Sequence, residues 1–217
     1  MAGMRTYGDG CSSALALDLV GERWALLIVR DLLLGPKRFT DLSAGLPNGS
    51  PNVLTQRLRE LEASGVVRRR RLPPPASTTV YELTEWGAEL EPIVLGLQRW
   101  GTGSPAFPGD VPVGCDAAML ALKNGFRPEA AIGLHTEIEV RFEVASFRVV
   151  VDDGTIAISR GAAERPDAVL STDPPTLEAV AFGPTTLRAA ERARAVAIEG
   201  DRAMVERLFE AVGTRAT

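Results

Sequence analysis

Histidine occurs once and cysteine twice in these 217 residues. A lone His135 excludes a His-based metal cluster, and Cys11 and Cys115, far apart in the chain, make no zinc site. Two cysteines are also too few for a disulfide framework. Aromatics reach only 6% of the composition, so the cores must be built mainly from Leu, Val and Ala. No apolar run approaches the roughly 18 residues of a membrane span, and Met1 to Gly10 lacks the apolar stretch of a secretory signal. No glycine-rich nucleotide loop of the usual spacing is present. A Ser-His-Asp triad would have to use His135 on a strand edge. These absences argue against an enzyme and against a bound cofactor or metal, and they lead us to expect a cytoplasmic protein.

A net charge of −4 argues at first against nucleic acid as a partner. The distribution reverses that. The balance is +1 up to Gly101 and −5 after it, and between Lys37 and Arg71 eight basic residues face three acidic ones. A local positive stripe matters more to a phosphate backbone than the global sum does. The length suits two domains of about a hundred residues each. The segment GTGSPAFPGDVPVG at 101–114 suits neither helix nor strand. We therefore expect a first domain over 1–101, a linker over 102–114 and a second domain over 115–217.

The first half reads as helices and one hairpin. Ser12 to Val20 and Arg23 to Leu34 carry apolar residues at helical spacing, and Gly35-Pro36 stops the second of these. Thr40-Asp41 opens a short helix that ends by Gly45, with Pro47 after it. Ser50-Pro51 is a helix start, because Ser accepts from orphan backbone donors and Pro needs no donor in the first turn. That helix runs to Ser64. At 100° per residue Leu54, Leu58 and Leu61 share its core face. Asn52, Gln56 and Arg59 lie opposite, flanked by Thr55 and Arg57, and such side chains hydrogen-bond base edges in a major groove. Val66 to Leu72 and Thr78 to Leu83 form two strands joined by PPPAS, with Tyr81 and Leu83 turned inward. Thr84 caps a last helix through Trp100. Arginines 68 to 71 alternate to both faces of their strand. Four guanidinium groups repel one another unless an anion lies nearby, and a DNA phosphate would supply one. Lys37 and Arg38 are further phosphate candidates. An arginine-rich strand alone is more often a solvated face, so it is the order of elements, that of a winged helix, which favours DNA.

Residues 11–101 resemble the HxlR-type winged-helix regulators, relatives of the MarR group. The resemblance is carried by Cys11, by ALDLVGERWALLIVRDLLLGPKRFTDL at 16–42, by SPNVLTQRLRELEASGVV at 50–67 and by VYELTEWGAEL at 80–90. It implies a homodimer on a near-palindromic operator of double-stranded DNA. It places Ser50, Asn52, Val53, Thr55, Gln56 and Arg57 at or near the groove and Arg69, Arg70 and Arg71 in the wing. Dimerisation would use the first and last helices, around Leu15–Leu19 and Ile93–Trp100. Some members sense oxidants through a cysteine at the position of Cys11; a helix N-terminus also favours the thiolate. The alternative is a small residue that merely starts a helix.

The second half alternates between strands and short helices, an α+β pattern with one sheet. From His135 to Ala145, Ile138, Val140, Phe142 and Val144 share one face, while Glu137, Glu139, Arg141 and Glu143 share the other. Asp152-Asp153-Gly154 reads as a hairpin turn between two further strands. The pattern resembles sterol carrier protein-like domains, best at 193–212 and 167–183, and so implies an apolar tunnel. The inward candidates are Ile138, Val140, Phe142, Phe147, Leu177, Val180, Phe182, Leu208 and Phe209, each more readily read as plain core. The expected whole is an α+β protein, a winged helix-turn-helix domain followed by a sterol carrier protein-like one. It would be a regulator tuned by a small apolar ligand. The alternatives are a thiol-based sensor through Cys11, a carrier of apolar molecules with secondary DNA binding, or a second domain that only braces a dimer.

Overall fold

A computed structural model describes residues 6–46, 49–74, 76–107, 111 and 113–213. Pro47, Pro75 and part of the expected linker lie outside the described residues. The chain divides into two compact units, Met1–Val94 and Leu95–Thr217. The division falls ahead of the expected boundary at Gly101, inside a helix.

The first unit contains α1 (Ser12–Val20), α2 (Ala25–Leu32), α3 (Phe39–Gly45), α4 (Pro51–Ala63), β1 (Val67–Arg71), β2 (Thr79–Leu83), α5 (Glu85–Ala88) and the start of α6 (Glu91–Thr102). Its core joins Ile28, Val29 and Leu32 of α2 to Leu42 of α3 and to Leu54, Leu58 and Leu61 of α4. Burying each α4 leucine is worth about 1.5–3 kcal/mol, against roughly 1 kcal/mol for the Ser50 cap. Packing therefore decides where α4 lies, and the cap decides where it starts: Ser50 Oγ accepts from Val53 N at 3.3 Å.

Two helix boundaries differ from expectation for identifiable reasons. Trp24 takes the left-handed conformation at φ 78°, so α2 begins only at Ala25. The expected helix from Thr84 to Trp100 is broken between Ala88 and Glu91, just ahead of Pro92, which has no N–H to continue the ladder back to Ala88. Gly87 is required by close approach, because a Cβ there would run into the carbonyl oxygen of Val66.

β1 and β2 pair antiparallel, with Arg68 opposite Glu82, Arg69 opposite Tyr81 and Arg70 opposite Val80. Tyr81 and Leu83 pack on the core as expected, yet Val80 and Glu82 on the other face are the more buried pair. β2 is thus covered on both faces, while Arg68 to Arg71 of β1 stay exposed.

The second unit takes in the last turns of α6, where Asn124 Nδ2 donates to Leu95 O at 3.1 Å. Then follow α7 (Cys115–Asn124), a 3-10 turn at Pro128–Ala131, β3 (His135–Arg141), β4 (Ser146–Asp152), β5 (Thr155–Arg160), β6 (Ala168–Ser171), α8 (Pro174–Phe182), α9 (Leu187–Arg192), β7 (Ala197–Gly200) and α10 (Arg202–Glu210). The five strands run in the order β5-β4-β3-β6-β7, with β3 and β6 parallel and the other neighbours antiparallel. Asp153 and Gly154, at φ 42° and 82°, make the β4–β5 turn. Both central residues having positive φ is the hairpin geometry that Asp-Gly favours. Ile138, Val140, Phe147 and Val149 share one sheet face and are fully buried.

Two expectations for this sheet fail. Val144 is 82% exposed, because β3 ends at Arg141 and the alternation does not continue into the turn. Glu139, on the polar face, is only 3% exposed: Ala163 N donates to its Oε2 at 3.2 Å, and Arg141 bonds Oε1. Among the described residues no helix is long and apolar enough to cross a membrane.

Candidate nucleic-acid interface

The face of α4 opposite its leucines carries Asn52, Gln56 and Arg59, all exposed, with Val53 38% exposed beside them. Not every polar side chain near this face is at liberty. Thr55 Oγ1 donates to Pro51 O at 2.8 Å. Gln56 Nε2 donates to Glu60 Oε1 at 2.7 Å, which leaves its carbonyl oxygen as the acceptor for a partner. Arg57 is half-buried and held by Glu60 and, at 3.6 Å, by Glu22. Arg57 is therefore committed to the fold more than the helical wheel suggests.

Lys37 needs correction as a phosphate candidate. It is 4% exposed, and its Nζ lies 3.4 Å from Asp31 Oδ2, which is itself buried. Arg30 bonds the other oxygen of Asp31 at 2.7 Å. The backbone of Lys37 bridges Tyr81, its N donating at 2.9 Å, so that the residue anchors β2 to the segment before α3. A buried ammonium paired in this way is not presented to DNA. Arg38, by contrast, is exposed, and its backbone N donates to Asp41 Oδ2 at 3.3 Å at the start of α3.

The wing also supplies its own anions. Arg68 Nε and Arg70 Nε donate to the two oxygens of Glu82, each at 2.8 Å. Arg69 Nε donates to Glu62 Oε1 of α4, also at 2.8 Å. Burial pushes the Glu82 carboxyl up, but the bonds from Arg70 and Arg68 outweigh it and leave its pKa below the ordinary value. The bond to Glu62 raises that of Arg69. The repulsion among Arg68, Arg69 and Arg70 is thus relieved inside the fold, and an external phosphate is not needed to explain these three. Arg71 makes no ion pair among the described residues. Sequence reasoning missed Glu62 and Glu82 because their roles depend on register and tertiary approach. A charge count along the chain sees them only as acids.

Cys11 is exposed at the N-terminal boundary of α1, its Sγ 2.9 Å from Ser13 Oγ. That hydrogen bond first, and the backbone N–H groups of Ser13 and Ala14 next, lower its pKa.

Residues 19–105 match the family described as HxlR-like helix-turn-helix. HTH-type transcriptional regulator YvaP of Bacillus subtilis is 44% identical over 87 residues, spanning 40% of this chain and 81% of YvaP. YybR of the same organism is 38% identical over 96 residues, 43% of this chain and 74% of YybR. The chain belongs to the HxlR-type transcriptional regulators. Its first unit is the winged helix-turn-helix part. Among solved structures, the redox regulator HypR in its oxidized form is 36% identical, with a TM-score of 0.41, covering 43% of this chain and 97% of HypR. Residues 126–216 match a second family, described as alkyl sulfatase C-terminal. No sterol carrier protein is named there, and the second unit of this HxlR-type regulator is α+β in its elements.

Of the nine tunnel candidates, Ile138, Val140, Phe142, Phe147, Leu177 and Leu208 are buried, and Val180, Phe182 and Phe209 are half-buried.

Proposed function

We propose that this regulator binds a near-palindromic duplex as a homodimer, with α4 in the major groove and the wing beside it. The observation that carries the reading is the outward face of α4. Asn52, Gln56 and Arg59 project opposite three buried leucines, and most of them sit in the first turns, where helix-turn-helix proteins reach bases. Ser50, Val53 and Thr55 border the same groove-facing end, with Arg57 held behind it, and Arg38, Arg69, Arg70 and Arg71 are the basic residues around it. Dimerisation is supported by the apolar residues left exposed on the first unit, with Leu15 57%, Leu17 49%, Trp86 50% and Ile93 53% exposed. A hollow of about 260 Å³ lies between α1 and the α5–α6 segment, lined by Leu15, Leu19, Leu90 and Ile93 among others. An apolar patch of this kind marks an interaction surface.

The test is a gel-shift titration against the DNA upstream of the chain's own gene. Asn52→Ala with Gln56→Ala is expected to abolish the discrete complex while leaving folding and dimer mass unchanged. Unaltered affinity of that variant would overturn the assignment of α4. The variant spares Arg57, whose bonds to Glu22 and Glu60 would confuse stability with recognition.

The second unit is read as the signal input, a sterol carrier protein-like domain for a small apolar ligand. Its support is the half-buried set Val180, Phe182 and Phe209 beside the buried Ile138, Val140, Phe147 and Leu177; the Phe182 ring packs against Gly125 where any Cβ would collide. Coupling requires a ligand that binds one dimer geometry better than another. An apolar dye displaced from the chain by added fatty acid, with a parallel shift in DNA affinity, supports this reading; no shift removes it. A thiol input through Cys11 is favoured by the exposed, hydrogen-bonded sulfur. If alkylating Cys11 leaves DNA affinity unaltered, that input is excluded.

A further inference from the structure

Glu82 is the one acid in the sequence of the wing, its side chain 12% exposed, while the Arg68 and Arg70 side chains are 64% and 46% exposed. Both arginines bond it through Nε. An arginine engaged at Nε keeps the four N–H groups of its terminal nitrogens. One carboxylate therefore draws two guanidinium heads together from behind. The cluster carries one net positive charge, and its unengaged donors belong to its exposed members. Two like charges held together in this way are relieved on one side by Glu82 and on the open side by water and salt, which a phosphate can replace. A DNA phosphodiester carries one negative charge and two non-bridging oxygens, which matches the charge of the cluster and gives each arginine an acceptor.

The geometry points to Arg68, Glu82 and Arg70 as a phosphodiester clamp, in which the two arginines touch the backbone and Glu82 is a positioning residue that never does. This rests on the DNA-binding reading above. It adds Arg68 to the contact set and gives a specific purpose to an acid in a basic wing. The clamp fixes how the wing meets the backbone and carries no base preference.

The contact is independent of sequence, so a mixed-sequence duplex serves as the probe, with the full-length chain and fluorescence anisotropy between about 50 and 200 mM salt. Arg68→Gln with Arg70→Gln is expected to weaken binding and to lower the slope of log K against log salt by about one per protomer, the signature of one lost phosphate contact. Glu82→Gln removes a negative charge, so simple electrostatics predicts tighter binding. The positioning role predicts binding weaker by about threefold or more, because a charge-assisted anchor is lost from both arginines. Glu82→Asp, too short to hold both heads, is expected to behave like Glu82→Gln. A thermal melt of each variant separates misfolding from lost contact. If the arginine variant keeps the wild-type slope, Arg68 and Arg70 do not touch phosphate and the clamp is wrong. If Glu82→Gln binds more tightly, Glu82 only neutralises and its positioning role is wrong. If the wild type itself binds the duplex with no salt dependence, the failure belongs to the DNA-binding reading, which the Asn52→Ala, Gln56→Ala titration reports separately.

Discussion

Arg69 on the wing donates through Nε to Glu62 near the end of α4, at 2.8 Å, and so ties the wing strand to α4. Both side chains are substantially exposed, at 57% and 31%. An ion pair so open to water and salt contributes little to folding. Glu62→Gln is therefore expected to leave the urea midpoint where it is. Its effect belongs to binding. Glu62 holds a single exposed arginine, so it competes with phosphate for Arg69, unlike Glu82, which grips two arginines from a buried position. Duplex affinity at low salt is expected to rise in Glu62→Gln and the gain to fade as salt is added. A loss of affinity would show instead that the tie orients the wing.

The pair formed by Asp31 and Lys37 is the opposite case. Both side chains are almost wholly buried, and Arg30 also bonds the acid. Removing Lys37 leaves Asp31 buried with, among the described residues, only Arg30 as its ion-pair partner, at a cost of up to about 3–5 kcal/mol. Lys37→Met is expected to lose on that order in urea unfolding. The double variant Asp31→Leu, Lys37→Met should recover a good part of it, because no buried charge remains. Equal losses in the single and double variants would mean the pair is not what holds this corner. DNA affinity per folded molecule should be unchanged in Lys37→Met, since the ammonium is not on the surface.

The difference between these pairs marks what the sequence makes legible. Ser50-Pro51, the Leu54, Leu58 and Leu61 spacing and the Asp153-Gly154 turn act within a few residues, and each appears where local chemistry puts it. The winged-helix order follows from such signals in series. Lys37 could not be judged locally: its burial follows from the bridge to Tyr81 and the approach of Asp31. The arginines of β1 could be assigned to faces, but their partners lie across a register, Glu82, or on another element, Glu62. Alternation likewise predicted which face Glu139 occupies, but not that the backbone of Ala163 would cover it. Local pattern thus reached the elements and the outward face of α4, while charge compensation needed the tertiary structure.

Glu82 also gives a pH dependence of defined sign. Burial pushes its carboxyl up, the bonds from Arg70 and Arg68 pull it down further, and the folded pKa lies below the unfolded one. The unfolded value is about 4.3. The stabilisation is therefore fully present above that pH and is lost as pH falls through the lower, folded value. Because the arginine ends are open to solvent, its size at neutral pH is on the order of 1 kcal/mol. Urea midpoints of wild type and Glu82→Gln are expected to differ at pH 7 and to converge as the pH falls below about 4.3 and on through the lower, folded value. A gap that stays constant down to pH 3 would mean the carboxylate's charge is not what stabilises the hairpin.

Cys11 offers the last expectation, and it tests geometry before it tests sensing. The Ser13 hydroxyl lies 2.9 Å from its sulfur, and this bond is the largest cause of its lowered pKa, ahead of the Ser13 and Ala14 backbone donors. A hydroxyl donating to sulfur stabilises the thiolate, the reactive form. In a Cys115→Ser background, alkylation by iodoacetamide reports Cys11 alone. The rate should rise with pH through a midpoint below that of an ordinary thiol, which is about 8.5. Ser13→Ala is expected to move the midpoint upward, and Ser13→Thr, which keeps the hydroxyl, to restore most of the shift. The backbone donors remain in both variants, so part of the lowering should survive in Ser13→Ala. If Ser13→Ala and wild type titrate together, the hydroxyl does not tune the sulfur, and any reactivity of Cys11 must come from its place at the start of α1.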